Sequence, residues 1–327
     1  MNNHPQSVPP PIVLIGGPTA SGKSALALQL ARQLAEKRQR SVILNADALQ
    51  LYRDLSVITA RPAPEDEAEL PHRLYGVLDA AERGSVAGWL AQIREEIEAT
   101  LAEGWTPIVV GGTGMYLHTL QNGLAPVPEI DPEIRAEAVL RHGSIGGRAF
   151  KAELAALDPV AAGKLHDGDT QRLIRAYEVV RSTGRPLHEW QSAQTDKPPE
   201  HWRFSSFVVE PTRPVLYANC DRRFDLMLQH GAMDEVRLLA ARNLSPELPA
   251  MKAVGVPELI KVMSGSWSID QAREKAQQAT RNYAKRQLTW FRHQLPGAVR
   301  IELNQPGDKN EIARHSLQMA AIATRFS

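Results

Sequence analysis

The chain has 327 residues, enough for more than one domain and a substantial core. Hydrophobic residues make up 43% and charged residues 23%; the single cysteine, Cys220, excludes a disulfide framework or a cysteine-based zinc site and fits a reducing cytoplasm. The net charge of +1 conceals an uneven distribution, with acidic stretches at Glu65–Glu69 and Arg94–Glu98 and basic clusters at Arg172, Arg175, Arg181 and Arg185 and again between Arg273 and Arg292. Such a basic face is what a polyanion reads.

Met1–Pro11 is polar and proline-rich without an apolar core, so it reads as a disordered tail and not as a signal peptide. No apolar run approaches the roughly 18 residues of a membrane span, and nothing points to an obligate protein partner. An apolar strand over Ile12–Gly16 then runs into Gly17-Pro-Thr-Ala-Ser-Gly-Lys-Ser24, and a helix is expected over Ser24–Lys37. Strand, G-x-x-x-x-G-K-S and helix together make the context of a phosphate-binding loop. Its glycines let backbone N–H groups curl around phosphate oxygens, and the helix N-terminus adds its positive end. Lys23 would reach the terminal phosphates, and the Ser24 hydroxyl would ligate Mg²⁺.

Further strands are expected at Ser41–Asn45, Arg73–Leu78 and Pro107–Val110, with a helix over Val86–Glu103. Short apolar strands alternating with amphipathic helices imply a parallel, doubly wound sheet. From Gly123–Pro132 to about Gln194 the pattern is almost wholly helical, and strand-like runs return at Ser205–Val209 and Val215–Asn219. Ser268–Gln294 reads as one helix with Ser268 and Asp270 as start signals. Arg281, Lys285 and Arg292 share one of its faces; nearby Tyr283, Trp290 and Phe291 suit either an aromatic core stripe or the stacking of unpaired RNA bases. Gly307–Ser327 reads as a terminal helix without evident chemistry.

The expected fold is therefore α/β. A P-loop nucleotide-fold core with a parallel sheet and C-terminal helices occupies residues 12–122 and 196–327; residues 123–195 form a mainly helical insertion, and residues 1–11 a tail.

A P-loop NTPase usually carries a second strand ending in Asp. Here Pro107–Val110 runs into Gly111-Gly-Thr-Gly114 with no acid at its end. Asp47, just past the strand Ser41–Asn45, faces the same crevice as the phosphate loop and suits a metal ligand, a general base or a turn cap. A phosphate loop reports only a phosphate chain, so a kinase of a nucleoside or small metabolite remains an alternative. An RNA-stimulated NTPase fits less well without the second acid.

The order of motifs resembles that of bacterial tRNA dimethylallyltransferases. Gly17–Ser24 is followed by Ala46-Asp47 with Gln50-Leu-Tyr-Arg53, Thr59-Ala-Arg-Pro62, Pro71-His72 and Gly111-Gly-Thr-Gly-Met-Tyr116. Then come Asp169-Thr-Gln-Arg-Leu-Ile-Arg-Ala176, Thr183-Gly-Arg-Pro186 and Tyr283-Ala-Lys-Arg-Gln-Leu-Thr-Trp-Phe-Arg292, so the match spans nearly the whole chain. The resemblance implies transfer of the dimethylallyl group from dimethylallyl diphosphate to N6 of the adenosine 3′ of the anticodon, in tRNAs reading codons that begin with U. The residues Gly17, Pro18, Thr19, Ala20, Ser21, Gly22, Lys23 and Ser24 would then hold the diphosphate, with Mg²⁺ on Ser24. Asp47 resembles the base that accepts the adenine proton, Thr113 a threonine near the reacting centre, and Arg223 an arginine that assists the pyrophosphate. The anticodon stem-loop would be met by Asp47, Ala48, Leu49, Gln50 and Thr113. In the insertion it would be met by Arg135, Gln171, Arg172, Leu173, Ile174 and Arg175, and in the long helix by Arg281, Lys285, Arg286, Gln287 and Arg292. The chain departs from the family at Ala48, where a serine is common, at Ile58, usually glycine, and at Val256, usually the tyrosine opening a motif. These departures touch substrate recognition and leave Asp47, Thr113 and the phosphate loop intact.

Overall fold

The computed structural model describes residues 10–193, 196–305 and 307–324. Residues 1–9 of the expected tail lie outside the described residues, and Pro11 is already buried. In chain order the first elements are β1 (Ile12–Gly16), α1 (Lys23–Glu36), β2 (Ser41–Asn45), α2 (Pro64–Glu69), β3 (His72–Arg73), α3 (Val86–Ala102), β4 (Thr106–Gly111) and α4 (Gly114–Asn122). Next come α5 (Pro132–Leu157), α6 (Pro159–Lys164), α7 (Thr170–Thr183), α8 (Leu187–Ser192), β5 (Phe204–Val209) and α9 (Arg213–Gln229). The chain ends with α10 (Ala232–Ala241), α11 (Val256–Met263), α12 (Ile269–Gln294), β6 (Val299–Ile301) and α13 (Lys309–Thr324).

The six strands form one sheet in the order β3-β2-β4-β1-β5-β6, and every neighbouring pair is parallel. β1, β2 and β4 are buried along their whole length, as expected for continuous apolar strands covered on both faces. Leu26, Leu30 and Leu34 of α1 pack with Ile15, Val110 and Phe207, and Met319 and Ala320 of α13 join the same cluster. β4 lies between β1 and β2, so the chain reverses its winding direction at β1. The turns after β1, β2 and β4 therefore open together at the carboxyl edge of the sheet, where α/β folds bind ligands. No helix among the described residues is long and apolar enough to cross a membrane.

Two strand expectations are corrected. Of Arg73–Leu78, the sheet takes only Arg73, paired in β3 beside His72. The backbone turns away at Leu74 (φ 65°) and Gly76 (φ 61°), and Leu78 returns as an isolated bridge to Tyr52. The run Val215–Asn219 lies inside α9. Pro214 occupies its first turn, and Leu216, Cys220, Phe224 and Met227 are buried at helical spacing. The edge strand β6 is short enough to have escaped the sequence pattern.

The chain divides into two compact units, Met1–Gln121 with Pro199–Ser327, and Asn122–Pro198. In the second, Phe150 and Leu154 of α5 pack on Leu173, Ile174 and Tyr177 of α7. α5 is broken at Gly146, whose φ of 77° suits glycine. Asp158 caps α6 by accepting from the Ala161 N–H at 2.9 Å.

Candidate active site

The phosphate loop leaves β1 at Gly17 and enters α1 through Gly22, which sits at φ 88°. A helix start leaves its first N–H groups without intrahelical partners, so they remain for an anion. Lys23 Nζ donates to the Pro18 carbonyl at 3.3 Å, folding its side chain back over the loop. Burial lowers the Lys23 ammonium to about 8, against the pull of Asp47's negative charge. Ser24 stands exposed on the first turn of α1. Ser21 is fully buried, and its Oγ has no hydrogen-bond partner. Thr19 differs from the expectation for the loop. Its N–H is donated to Gln287 Oε1 at 2.8 Å, so this amide is not free to hold phosphate.

Asp47 is fixed by the residue two before it. Asn45, fully buried, accepts the Asp47 N–H at 2.8 Å and donates to the carbonyls of Asp47 and Leu74 at 3.0 and 2.9 Å. Asp47 Oδ1 accepts the Leu49 N–H at 3.1 Å. The Gly111–Gly114 turn packs directly against this segment: a Cβ on Gly111 would lie 2.0 Å from the Ala46 carbonyl oxygen. Thr113 Oγ1 accepts the Ala48 N–H at 2.9 Å, which leaves its hydroxyl proton to be donated. The structure thus brings Asp47 and Thr113 together at the carboxyl ends of β2 and β4.

Beside Asp47 opens a small, partly open cleft. Its wall combines polar Thr19, Asp47, Thr59 and Arg223 with apolar Leu49, Ile58, Phe224, Met227 and Val254. Arg223 Nη2 donates to the Thr59 carbonyl at 2.8 Å, and burial lowers its guanidinium, opposed by Asp47. Cys220 is buried on the same wall, and burial pushes its thiol up to about 11, so it is not a nucleophile near neutral pH.

The sequence reading missed what holds that wall. Glu235 of α10 accepts the backbone N–H groups of Ser56, Val57 and Ile58 at 2.7, 2.8 and 2.9 Å. No local signal links residues nearly 180 positions apart. Ile58 and Val256, two of the departures from the family pattern, fall in one apolar cluster with Phe224 and Leu259.

Several expected RNA contacts are redirected. Gln50 Nε2 is committed to the carbonyls of Thr59 and Ala60, both at 3.0 Å. Gln287 is 7% exposed and uses both ends of its amide inside the protein, so it is corrected from a surface contact to a buried brace. Phe291 is fully buried and belongs to the core, whereas Trp290 is half-buried and packs on Gly114. On the outer face of α12, Lys285 and Arg286 are exposed, Arg281 bonds Asp221 at 2.5 Å, and Arg292 pairs with Glu210.

In the helical unit Gln171 and Arg172 are exposed on α7, whereas Leu173 and Ile174 are buried in its apolar cluster. Those two are corrected from RNA contacts to core residues, because they lie on the face of α7 that packs on α5. Arg135 and Arg175 both grip Glu178, whose side chain has no exposure, at 2.9 and 2.7 Å.

Fold and site together define a P-loop α/β protein whose phosphate loop, carboxylate and apolar cleft share one edge of a parallel sheet. The IPP transferase family model matches residues 50–294. A tRNA dimethylallyltransferase from Rhodospirillum centenum is 53% identical over 298 residues, covering 91% of this chain and 92% of that protein. One from Caulobacter is 46% identical over 297 residues, covering 90% and 94%. The full-length tRNA isopentenylpyrophosphate transferase of Bacillus halodurans shares the fold with a TM-score of 0.66 at 27% identity, covering 97% of this chain and 98% of its own. A eukaryotic dimethylallyltransferase acting on tRNA gives a TM-score of 0.79 at 24% identity, covering 97% and 79%, a likeness of fold. The chain belongs to the IPP transferase family, and the kinase alternative falls away with that membership.

Proposed function

We propose that the chain transfers a dimethylallyl group from dimethylallyl diphosphate to N6 of the adenosine 3′-adjacent to the anticodon, in tRNAs reading codons that begin with U. The observation that carries this reading is the cleft, in which Asp47 and Arg223 meet an apolar wall of Leu49, Ile58, Phe224 and Met227. A branched five-carbon chain is satisfied by such a wall, and a diphosphate by the loop beside it. The N6–C1 bond forms as the C1–O bond to diphosphate breaks, Asp47 takes the proton from N6, and pyrophosphate leaves. A positioned base typically contributes 10²–10⁴-fold. Lys23, the amides at the start of α1 and Arg223 stabilise the charge that collects on the departing pyrophosphate. Thr113, its oxygen already accepting from Ala48, donates its proton near the reacting centre.

Mg²⁺ suits the exposed Ser24 hydroxyl. Ser24 would be the residue that holds the ion, since Mg²⁺ commonly takes few protein oxygens and keeps several waters. Bound there, it supplies charge neutralisation to the leaving group. The adenosine of a folded anticodon arm has to leave its stack to reach Asp47. Arg135, Gln171, Arg172 and Arg175 of the helical unit, and Arg281, Lys285, Arg286 and Arg292 of α12, supply charge and hydrogen bonds for the tRNA. A tRNA substrate and one buried thiol fit the cytoplasm as the compartment.

The test is incubation of the full chain with radiolabelled dimethylallyl diphosphate, unmodified tRNA and Mg²⁺, with labelled ATP in parallel. Label on tRNA with ATP intact is expected. Loss of phosphate from ATP without prenyl transfer would overturn the reading.

A further inference from the structure

Between them, three side chains of α12 reach the end of β1 and the two glycine-rich turns. A Cβ on Gly16 would stand 2.7 Å from the Phe291 ring, one on Gly114 would stand 2.1 Å from the Trp290 ring, and one on Gly112 would stand 2.6 Å from Gln287 Nε2. These turns therefore press bare backbone onto one helix. Of the three side chains, Gln287 is hydrogen-bonded to both turns. Its Oε1 accepts the Thr19 N–H at 2.8 Å, and its Nε2 donates to the Gly112 carbonyl at 2.7 Å. The same Cβ on Gly112 would lie 3.2 Å from Asp47 Oδ2 and 3.4 Å from the Gly17 carbonyl oxygen. One buried amide thus spans the gap between the phosphate loop and the turn beside the carboxylate.

We propose that Gln287 is a positioning residue that holds the phosphate loop at a fixed distance from the Gly112 turn and so keeps the leaving group in register with Asp47. The inference rests on the transferase reading above. Gln287 acts through Thr19 and Gly112, and both its hydrogen bonds join backbone groups that cannot rotate away. A leaving group and a base carried on separate turns need such a tie, because an error of about 1 Å in their separation costs on the order of 10²-fold in rate. Because an amide N–H makes one strong bond, the Thr19 N–H serves this tie and the remaining loop amides serve the phosphates.

Two variants of the full chain test it. Gln287→Met keeps the length and removes both hydrogen bonds; Gln287→Glu keeps an acceptor for Thr19 but turns an oxygen on the Gly112 carbonyl and brings a second carboxylate near Asp47. For Gln287→Met, kcat is expected to fall about 10²-fold, with tRNA Kd and its salt dependence within twofold of the wild type. For Gln287→Glu, the acid limb of kcat/KM is expected to move to higher pH, because a neighbouring negative charge raises a carboxyl pKa. A surface contact to tRNA would instead raise Kd and leave kcat in place. A purely structural brace would lower the unfolding temperature without changing kcat per folded molecule or the pH profile. Either pattern overturns the inference, and if the Met variant does not fold, the pH profile of the Glu variant decides. The wild type is assayed first: no prenyl transfer by it refutes the transferase reading, whereas equal transfer by all three proteins refutes the role of Gln287 alone.

Discussion

The two units handle charge in opposite ways. In the core unit Lys23, Asp47 and Arg223 lie close enough to influence one another, yet none of them forms an ion pair among the described residues. In the helical unit Arg135 and Arg175 are both locked onto Glu178, whose carboxylate is fully buried. Burial without a partner disfavours the charged form, which is why Lys23 and Arg223 are lowered. A site proposed to receive two phosphates gains from cations left without an ionic partner until the ligand arrives. A surface that must present arginines in a fixed orientation gains from satisfying them beforehand. The first arrangement suits chemistry, the second recognition.

The largest effect should come from the core. Asp47→Asn removes the proposed base while keeping the shape, and kcat should fall by about 10²–10⁴-fold. Dimethylallyl diphosphate should bind at least as tightly as to the wild type, since one repulsion is removed; equilibrium binding beside single-turnover kinetics reads both. Turnover within tenfold of the wild type would leave Asp47 as the partner of Leu49 only. In the helical unit, Arg135→Ala or Arg175→Ala alone leaves Glu178 one partner. The double variant strands a buried carboxylate, and it should lose about 3–5 kcal/mol of stability in urea unfolding, more than the sum of the single losses. Additive single losses would show that the two arginines do not share Glu178.

The contrast also explains what was legible in the sequence. The phosphate loop, Asp47 and Gly111–Gly114 announce themselves because a strand followed by a turn fixes where each residue emerges. The parallel sheet was legible for the same reason, through the apolar runs of β1, β2, β4 and β5. The run Val215–Asn219 misled because five apolar-rich residues fit a strand and a buried helix face equally well, and Pro214 as a helix start decides between them. Glu235, Asn45 and Glu178 stayed hidden, since a carboxylate or amide that ties up distant backbone or arginine atoms leaves no local pattern. Gln287 was visible but misjudged: it stands among Lys285, Arg286 and Arg292, and only the packing of Ala284, Leu288 and Phe291 turns it inward.

An unpartnered cation also makes the core site sensitive to pH. Burial lowers the Lys23 ammonium to about 8 in the free protein. A bound diphosphate favours the ammonium and raises its pKa, so binding is strongest below about 8 and weakens as the proton is lost. The KM for dimethylallyl diphosphate should be flat between pH 6.5 and 7.5 and then climb by up to tenfold per unit above 8, while tRNA Kd over the same range changes less. Lys23→Arg, which does not deprotonate there, should flatten the rise. A KM that rises equally in both proteins would assign the titration to another group.

The smallest effect separates free from paired cations within α12. Lys285 is exposed and has no ion-pair partner among the described residues, whereas Arg281 already bonds Asp221 and Arg292 already pairs with Glu210. A phosphate that meets Lys285 displaces only solution counterions, so Lys285→Ala should reduce the slope of log Kobs for tRNA against log salt by about one. A phosphate that meets Arg281 or Arg292 must compete with a carboxylate already in place. Removing either arginine should therefore change the slope by less, although the half-buried acid it leaves behind, Asp221 or Glu210, weakens binding at every salt concentration. Measuring tRNA affinity at three salt concentrations for each single variant tests the ordering. Equal slope changes for Lys285→Ala and Arg281→Ala would mean that tRNA binding breaks the Arg281–Asp221 pair, and the distinction between poised and satisfied charges would then hold for the free protein alone.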